Sequence, residues 1–86
     1  MASYRIVLRK SAAKEIAKLD KQTTSRVIGK IQALSVDPRP PGCKKLSGEE
    51  KYRIRAGAYR ILYQIVDHEL IVTVVRVRHR RDAYRK

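Results

Sequence analysis

Residues 52–63 read YRIRAGAYRILY, and this stretch decides the fold. Tyr52-Arg53-Ile54-Arg55 alternates apolar and charged residues, so Arg53 and Arg55 fall on one face of a strand. Ala56-Gly57-Ala58 is the turn, where Gly57 can take the positive φ that a tight connection often needs. Tyr59 to Val66 is the return strand and carries Arg60. With a two-residue loop, Arg55 and Arg60 lie opposite each other on one face. Like charges placed directly across a sheet destabilise by roughly a few tenths of a kcal/mol or more. A hairpin built this way favours an anion lying over it. A one-residue shift in register would separate the two arginines and leave solvated edge charges.

The chain has 86 residues, enough for one domain and too few for two. Hydrophobic residues make up 43%, with no Phe and no Trp, so the core is aliphatic with some of the five Tyr. Lys and Arg number 21 against 8 Asp and Glu, a formal net charge of +13. Such a field attracts polyanions, nucleic acid first. A membrane surface is a weaker partner, because no segment joins a long apolar face to a basic one. Cys43 is the single cysteine, which excludes an intramolecular disulfide. The opening MASYRIVLRK lacks the apolar core of a signal peptide, and no run approaches a membrane span. A cytoplasmic location is expected.

On either side of the hairpin the elements read as follows. Tyr4 to Leu8 is a short strand. Ser11 is a candidate N-cap for a helix from about Ala12 to Leu19, with Ala12, Ile16 and Leu19 as its apolar stripe and Lys14, Glu15 and Lys18 toward water. Asp20 can cap a second helix over about Lys21 to Ser35, burying Val27, Ile28, Ile31 and Leu34. Gly29 inside it could allow close packing, and Asp37-Pro38 ends it. Arg39 to Gly48 is linker-like, with Leu46 as its anchor to the core. Leu70 to Val77, LIVTVVRV, is nearly continuous in apolar residues and suits the centre of a sheet covered on both faces. The expected fold is α+β, in the order β-α-α-β-β-β. Its last three strands are antiparallel, its first can pair anywhere in the sheet, and a two-helix hairpin packs on one face.

A second basic cluster closes the chain: Arg76, Arg78, His79, Arg80 and Arg81, then Asp82-Ala83-Tyr84. Two His and one Cys at scattered positions make no metal-ligand set, so no metal or cofactor is expected. Arg, Lys, Tyr and His suit the binding and polarising of a phosphodiester. For RNA that can suffice, since the 2′-hydroxyl is an internal nucleophile. Arginines stabilise the crowded phosphorane as always-charged donors. The proton transfers fall to Tyr84, if neighbouring cations lower its pKa, or to His79. The plainer readings are a packed or base-stacking Tyr84 and a His79 that only orients a neighbour.

These residues resemble the RelE/ParE superfamily of bacterial toxins, and within it the RelE-type messenger-RNA endonucleases. The resemblance covers nearly the whole chain. It rests on Lys45-Leu46-Ser47-Gly48, on Tyr52-Arg53-Ile54-Arg55 and Tyr59-Arg60-Ile61-Leu62-Tyr63, and above all on Val77-Arg78-His79-Arg80-Arg81-Asp82-Ala83-Tyr84. It implies a microbial-ribonuclease-like fold. It implies a toxin that enters the ribosomal A site and cuts mRNA there, leaving a 2′,3′-cyclic phosphate. A cognate antitoxin in a hetero-oligomer is implied as partner. Carried over, the family's active residues are Arg53 and Arg55, Arg60, Arg80 and Tyr84; with His79, the other candidate acid or base, the expected catalytic set is Arg60, Arg80, Tyr84 and His79. Phosphate binding falls on Arg53, Arg55, Arg78, Arg81, Lys44 and Lys45. The family's lysines on the first hairpin strand are Arg53 and Arg55 here. A lysine of depressed pKa can act as a base and an arginine cannot, which moves that role to Tyr84 or His79. A ParE-like inhibitor of DNA gyrase without nuclease chemistry, and a non-catalytic RNA- or ribosome-binding module, are the competing readings.

Overall fold

The hairpin forms with the register that its alternation predicts. The structure, a computed structural model, describes residues 3–46 and 51–81. Its elements are β1 (Arg5–Leu8), α1 (Lys10–Ala17), α2 (Lys21–Ala33), β2 (Lys44–Leu46), β3 (Lys51–Ala56), β4 (Tyr59–Val66) and β5 (Ile71–His79). The strands make one sheet in the order β1-β5-β4-β3-β2. All neighbours are antiparallel except β1, which runs parallel to β5 at the edge. The expected α+β arrangement of two helices on a mostly antiparallel sheet is present. It gains one strand, because Lys44–Leu46 lies in the stretch read as a linker and pairs with Lys51–Arg53.

The core lies between the helices and one face of the sheet. Tyr52, Ile54 and Ala56 of β3, Ile61, Tyr63 and Ile65 of β4, and Val72, Val74 and Val77 of β5 are buried against Ala12, Val27, Ile31 and Leu34. Asp20 caps α2 as expected, its carboxylate accepting from the Thr23 amide at 3.3 Å. The cap expected at Ser11 is absent. Helix α1 begins at Lys10, and the Ser11 hydroxyl donates to the Val75 carbonyl at 2.8 Å. Glu15, expected in water, is half-buried and accepts from the Val77 amide at 2.8 Å. Both side chains serve the same need. β1 pairs with β5 only up to Val74, and the edge beyond it requires partners, which α1 supplies.

β5 is not the doubly covered central strand that its apolar run suggests. It sits between β4 and β1, and helices cover one face only. A bulge explains the run: Leu62 pairs with Arg76 but Tyr63 with Val74, leaving Val75 as the extra residue. The inserted residue shifts side-chain parity, so Val74 and Val77 both reach the core. Gly29 has nothing within 4 Å of where a Cβ would stand, so no close packing needs it. Leu46 is half-buried on the sheet's other face and anchors nothing in the core.

Candidate functional site

The face of the sheet that the helices leave open carries the arginines. The hairpin loop is the two residues Gly57-Ala58, with Gly57 at φ +61. Arg55 is therefore paired directly with Arg60. Across the next interface Arg60 is paired with Arg78. Three arginines thus form a row over β3, β4 and β5, with neighbouring Cβ atoms about 4.5–5.5 Å apart by sheet geometry. A second row follows on the same face, Lys44 paired with Arg53 and Arg53 with Leu62. Alternation and the short turn produce both rows, since a slip of one residue would bury these cations.

Two hollows lie over the rows. One, of about 210 Å³, is lined by Leu46, Arg53, Arg60, Leu62 and Arg78. The other, of about 170 Å³, is lined by Arg55, Gly57, Ala58, Tyr59, Arg60 and Arg80. Arg60 belongs to both. No described residue lining either hollow is acidic. Arg80 reaches its place because its amide donates to the Ala58 carbonyl at 2.7 Å, tying the end of β5 to the hairpin turn. An arrangement of this kind can hold an anion and stabilise charge that grows on it.

Of the expected site residues, Arg53, Arg55, Arg60, Arg78 and Arg80 come together, with Lys44 at the rim of the second row. Lys45 is paired with Tyr52 and falls on the opposite side of the pleat. Arg81 is exposed and lines neither hollow. Tyr84 lies outside the described residues. His79 is paired with Tyr59 on the helix-side face, its ring edge-on to Tyr59 at 5.2 Å between centroids. Its Nδ1 accepts the Arg81 amide proton at 3.2 Å. That hydrogen bond occupies the Nδ1 lone pair and points the ring's other nitrogen, Nε2, away from the Arg81 amide.

The sequence reading passed over Arg26 and Lys30, one helical turn apart on α2. The Arg26 guanidinium lies 2.9 Å from where a Gly57 Cβ would stand, beside the hairpin turn. Their spacing was the available signal. Like charges at i and i+4 weaken an isolated helix, so their presence on one stripe asks for a reason.

The far end of the sheet is organised differently. Arg39 donates twice to the Asp67 carboxylate, at 3.1 and 2.9 Å, and once to the Tyr52 hydroxyl at 3.1 Å. The Tyr4 hydroxyl donates to the same carboxylate at 2.7 Å. Arg39 first, then Tyr4, hold the Asp67 carboxyl down to about 2. The Tyr63 hydroxyl donates to the Pro38 carbonyl at 2.7 Å, and burial pushes its pKa up. Among the described residues no three His, Cys, Asp or Glu side chains gather as a metal site. No helix among them is long and apolar enough to cross a membrane.

Fold and site together make this a small α+β protein with a basic, anion-binding sheet face. The chain matches the family model of the "ParE toxin of type II toxin-antitoxin system, parDE" over residues 6–84. It is 35% identical over 85 residues to a RelE-like toxin protein of Escherichia coli, covering 94% of this chain and 90% of that one. Two solved structures share the fold closely. The RelE–RelB complex of the archaeon Pyrococcus horikoshii gives a TM-score of 0.82 at 25% identity, over 91% of this chain and 96% of that one. The RelBE2 toxin–antitoxin complex of Mycobacterium tuberculosis gives 0.80 at 28%, over 91% and 99%. The chain belongs to this family of toxins of type II toxin–antitoxin systems, within the RelE/ParE superfamily.

Proposed function

We propose that this toxin is a ribosome-dependent endoribonuclease that cuts mRNA in the A site and thereby stops translation. The observation that carries this reading is the row Arg55–Arg60–Arg78, continued by Arg80 at the turn. In it like charges stand directly opposite one another. An RNA phosphate laid along that row relieves the repulsion. The 2′-oxygen attacks phosphorus and the 5′-oxygen leaves, giving a 2′,3′-cyclic phosphate and a 5′-hydroxyl. Arg60, in the middle, faces the two charges of the phosphorane, with Arg55, Arg78 and Arg80 around it. Arg53 and Lys44 hold the adjoining backbone. Tyr84 takes the proton-transfer role. His79 serves instead as a positioning residue, because its Nδ1 is engaged by the chain that carries Arg80 and Arg81. If the ribosome positions the mRNA, activity on free RNA is expected to be low.

An antitoxin encoded alongside, as in the complexes of the solved relatives, is the proposed protein partner. It would form a hetero-oligomer with the toxin in the cytoplasm. The match to a family model named for ParE favours one second reading, inhibition of DNA gyrase without nuclease chemistry. Primer extension on a defined mRNA in a reconstituted translation reaction separates the two. A new 5′ end inside the A-site codon, dependent on ribosomes, supports the nuclease. Intact mRNA together with loss of gyrase supercoiling supports the inhibitor.

A further inference from the structure

A third and larger recess opens beside the arginine rows. It has a volume of about 420 Å³ and is lined by Lys30 and Ala33 of α2, by the loop Pro40-Pro41-Gly42, by Lys44, and by Arg53, Ile54 and Arg55. Its size is within the range of roughly 300–1,000 Å³ of pockets that hold small-molecule ligands, enough for a nucleotide. We infer that this groove binds a segment of single-stranded RNA, receiving the nucleotide next to the phosphate held over Arg60. The inference rests on the nuclease reading and extends it.

Four observations carry it. Lys30, Lys44, Arg53 and Arg55 place four cations around the groove, and no described lining residue is acidic. Ala33, Pro40 and Pro41 make part of its lining apolar, against which the face of a base can lie. Arg53 is shared with the hollow over the second row and Arg55 with the hollow at the turn, so one polyanion can run through all three. β2 covers β3 only as far as Arg53, so among the described residues no strand pairs with the outer edge of 54–56. A peptide strand added there would have those three positions to pair with, short of an ordinary strand of about 5–6 residues. A nucleotide backbone needs no such ladder. It needs the cations, and three of them, Lys44, Arg53 and Arg55, already belong to the two rows.

Lys30 is the residue that distinguishes this groove from the rows. The probe is an end-labelled single-stranded RNA with 2′-O-methyl sugars, which cannot be cleaved, followed by fluorescence anisotropy across a salt series. Lys30→Ala should weaken binding several-fold and lower the slope of log K against log[salt] by about 0.7, one phosphate contact on a single strand. Lys14→Ala, the same charge change on α1 outside the groove, should leave the slope in place. Pro41→Ala should weaken binding without moving the slope. Equal behaviour of Lys30→Ala and Lys14→Ala overturns the groove. A poly-glutamate peptide whose binding depends on Lys30 as strongly as the RNA does overturns the assignment to RNA. The RNA's source is read on ribosomes. A Lys30→Ala loss seen only when mRNA fills the A site supports the substrate strand, and an equal loss on vacant ribosomes overturns that placement. Wild-type cleavage is scored separately. Its absence, with the Lys30 effect intact, sinks the nuclease reading and leaves an RNA groove.

Discussion

The two ends of the sheet use arginine in opposite ways. At the far end Arg39 is satisfied by Asp67 and Tyr52, and Tyr4 completes the carboxylate's shell. That network ties the entry of β1, the loop after α2 and the exit of β4. At the hairpin end Arg55, Arg60 and Arg78 stand side by side, and Arg55 and Arg78 have no ion pair to a carboxylate among the described residues. A paired guanidinium fixes a structure. A row of like charges adds repulsion to it, which an anion bound over the row would relieve. On the proposed reading, the difference separates residues that hold the fold from residues that the fold holds in place.

The sharpest way to break this contrast is Arg60→Ala. Removing one preorganised donor to a transition-state charge lowers rates by about 10²–10³-fold, and cleavage in the reconstituted reaction should fall by that much with an unchanged circular dichroism spectrum. Tyr63→Phe is the counterpart at the far end. It leaves the Pro38 carbonyl without its donor, so stability should drop by about 1–3 kcal/mol in urea unfolding, with cleavage by the folded protein unaffected. His79 tests the border between the two roles. His79→Leu should lower cleavage about tenfold, the worth of one hydrogen bond of about 1.4 kcal/mol. His79→Asn, whose side-chain oxygen can accept the Arg81 amide, should restore it. Equal loss in both variants would assign His79 to proton transfer.

The smallest effect is set by acid. The Asp67 carboxyl sits below its ordinary value of 3.8, at about 2, because Arg39 and then Tyr4 donate to its charged form. A depressed carboxyl contributes stability in full above its unfolded value, and that contribution is lost as pH falls through the folded one. Melting followed from about pH 4 down to about pH 2 should show this loss, and Asp67→Asn should remove that part of the pH dependence.

Much of the hairpin end was legible in the sequence, for a physical reason. Strict alternation, one glycine and a short turn determine both the face and the register, so Arg53, Arg55 and Arg60 could be placed from residues alone. The Asp20 cap was legible because its partner is three residues away. The far end was not. Arg39 and Asp67 are 28 residues apart, and nothing local in either announces the other. The same holds for Glu15, whose role depends on where β1 stops along β5. β2 escaped because three residues, Lys44-Lys45-Leu46, carry no period of their own. Alternation also could not show that Val75 is a bulge residue, so a strand buried on one face read as one buried on two. Lys30 was hidden by a different limit, since a helix stripe shows which residues share a side but not which loop stands across from it.

Arg78→Thr separates a functional row from a structural one, because stability and cleavage can be read on one sample. Thr suits a strand and removes one of the two like-charge pairs in the row. At low salt the melting temperature should rise by a few degrees, since relief of up to about 1 kcal/mol corresponds to as much as about 4–8 °C in a domain of this size. Ribosome-dependent cleavage should fall in the same preparation. A lower melting temperature with cleavage retained would make Arg78 a structural residue like Arg39 and would remove it from the anion-binding row.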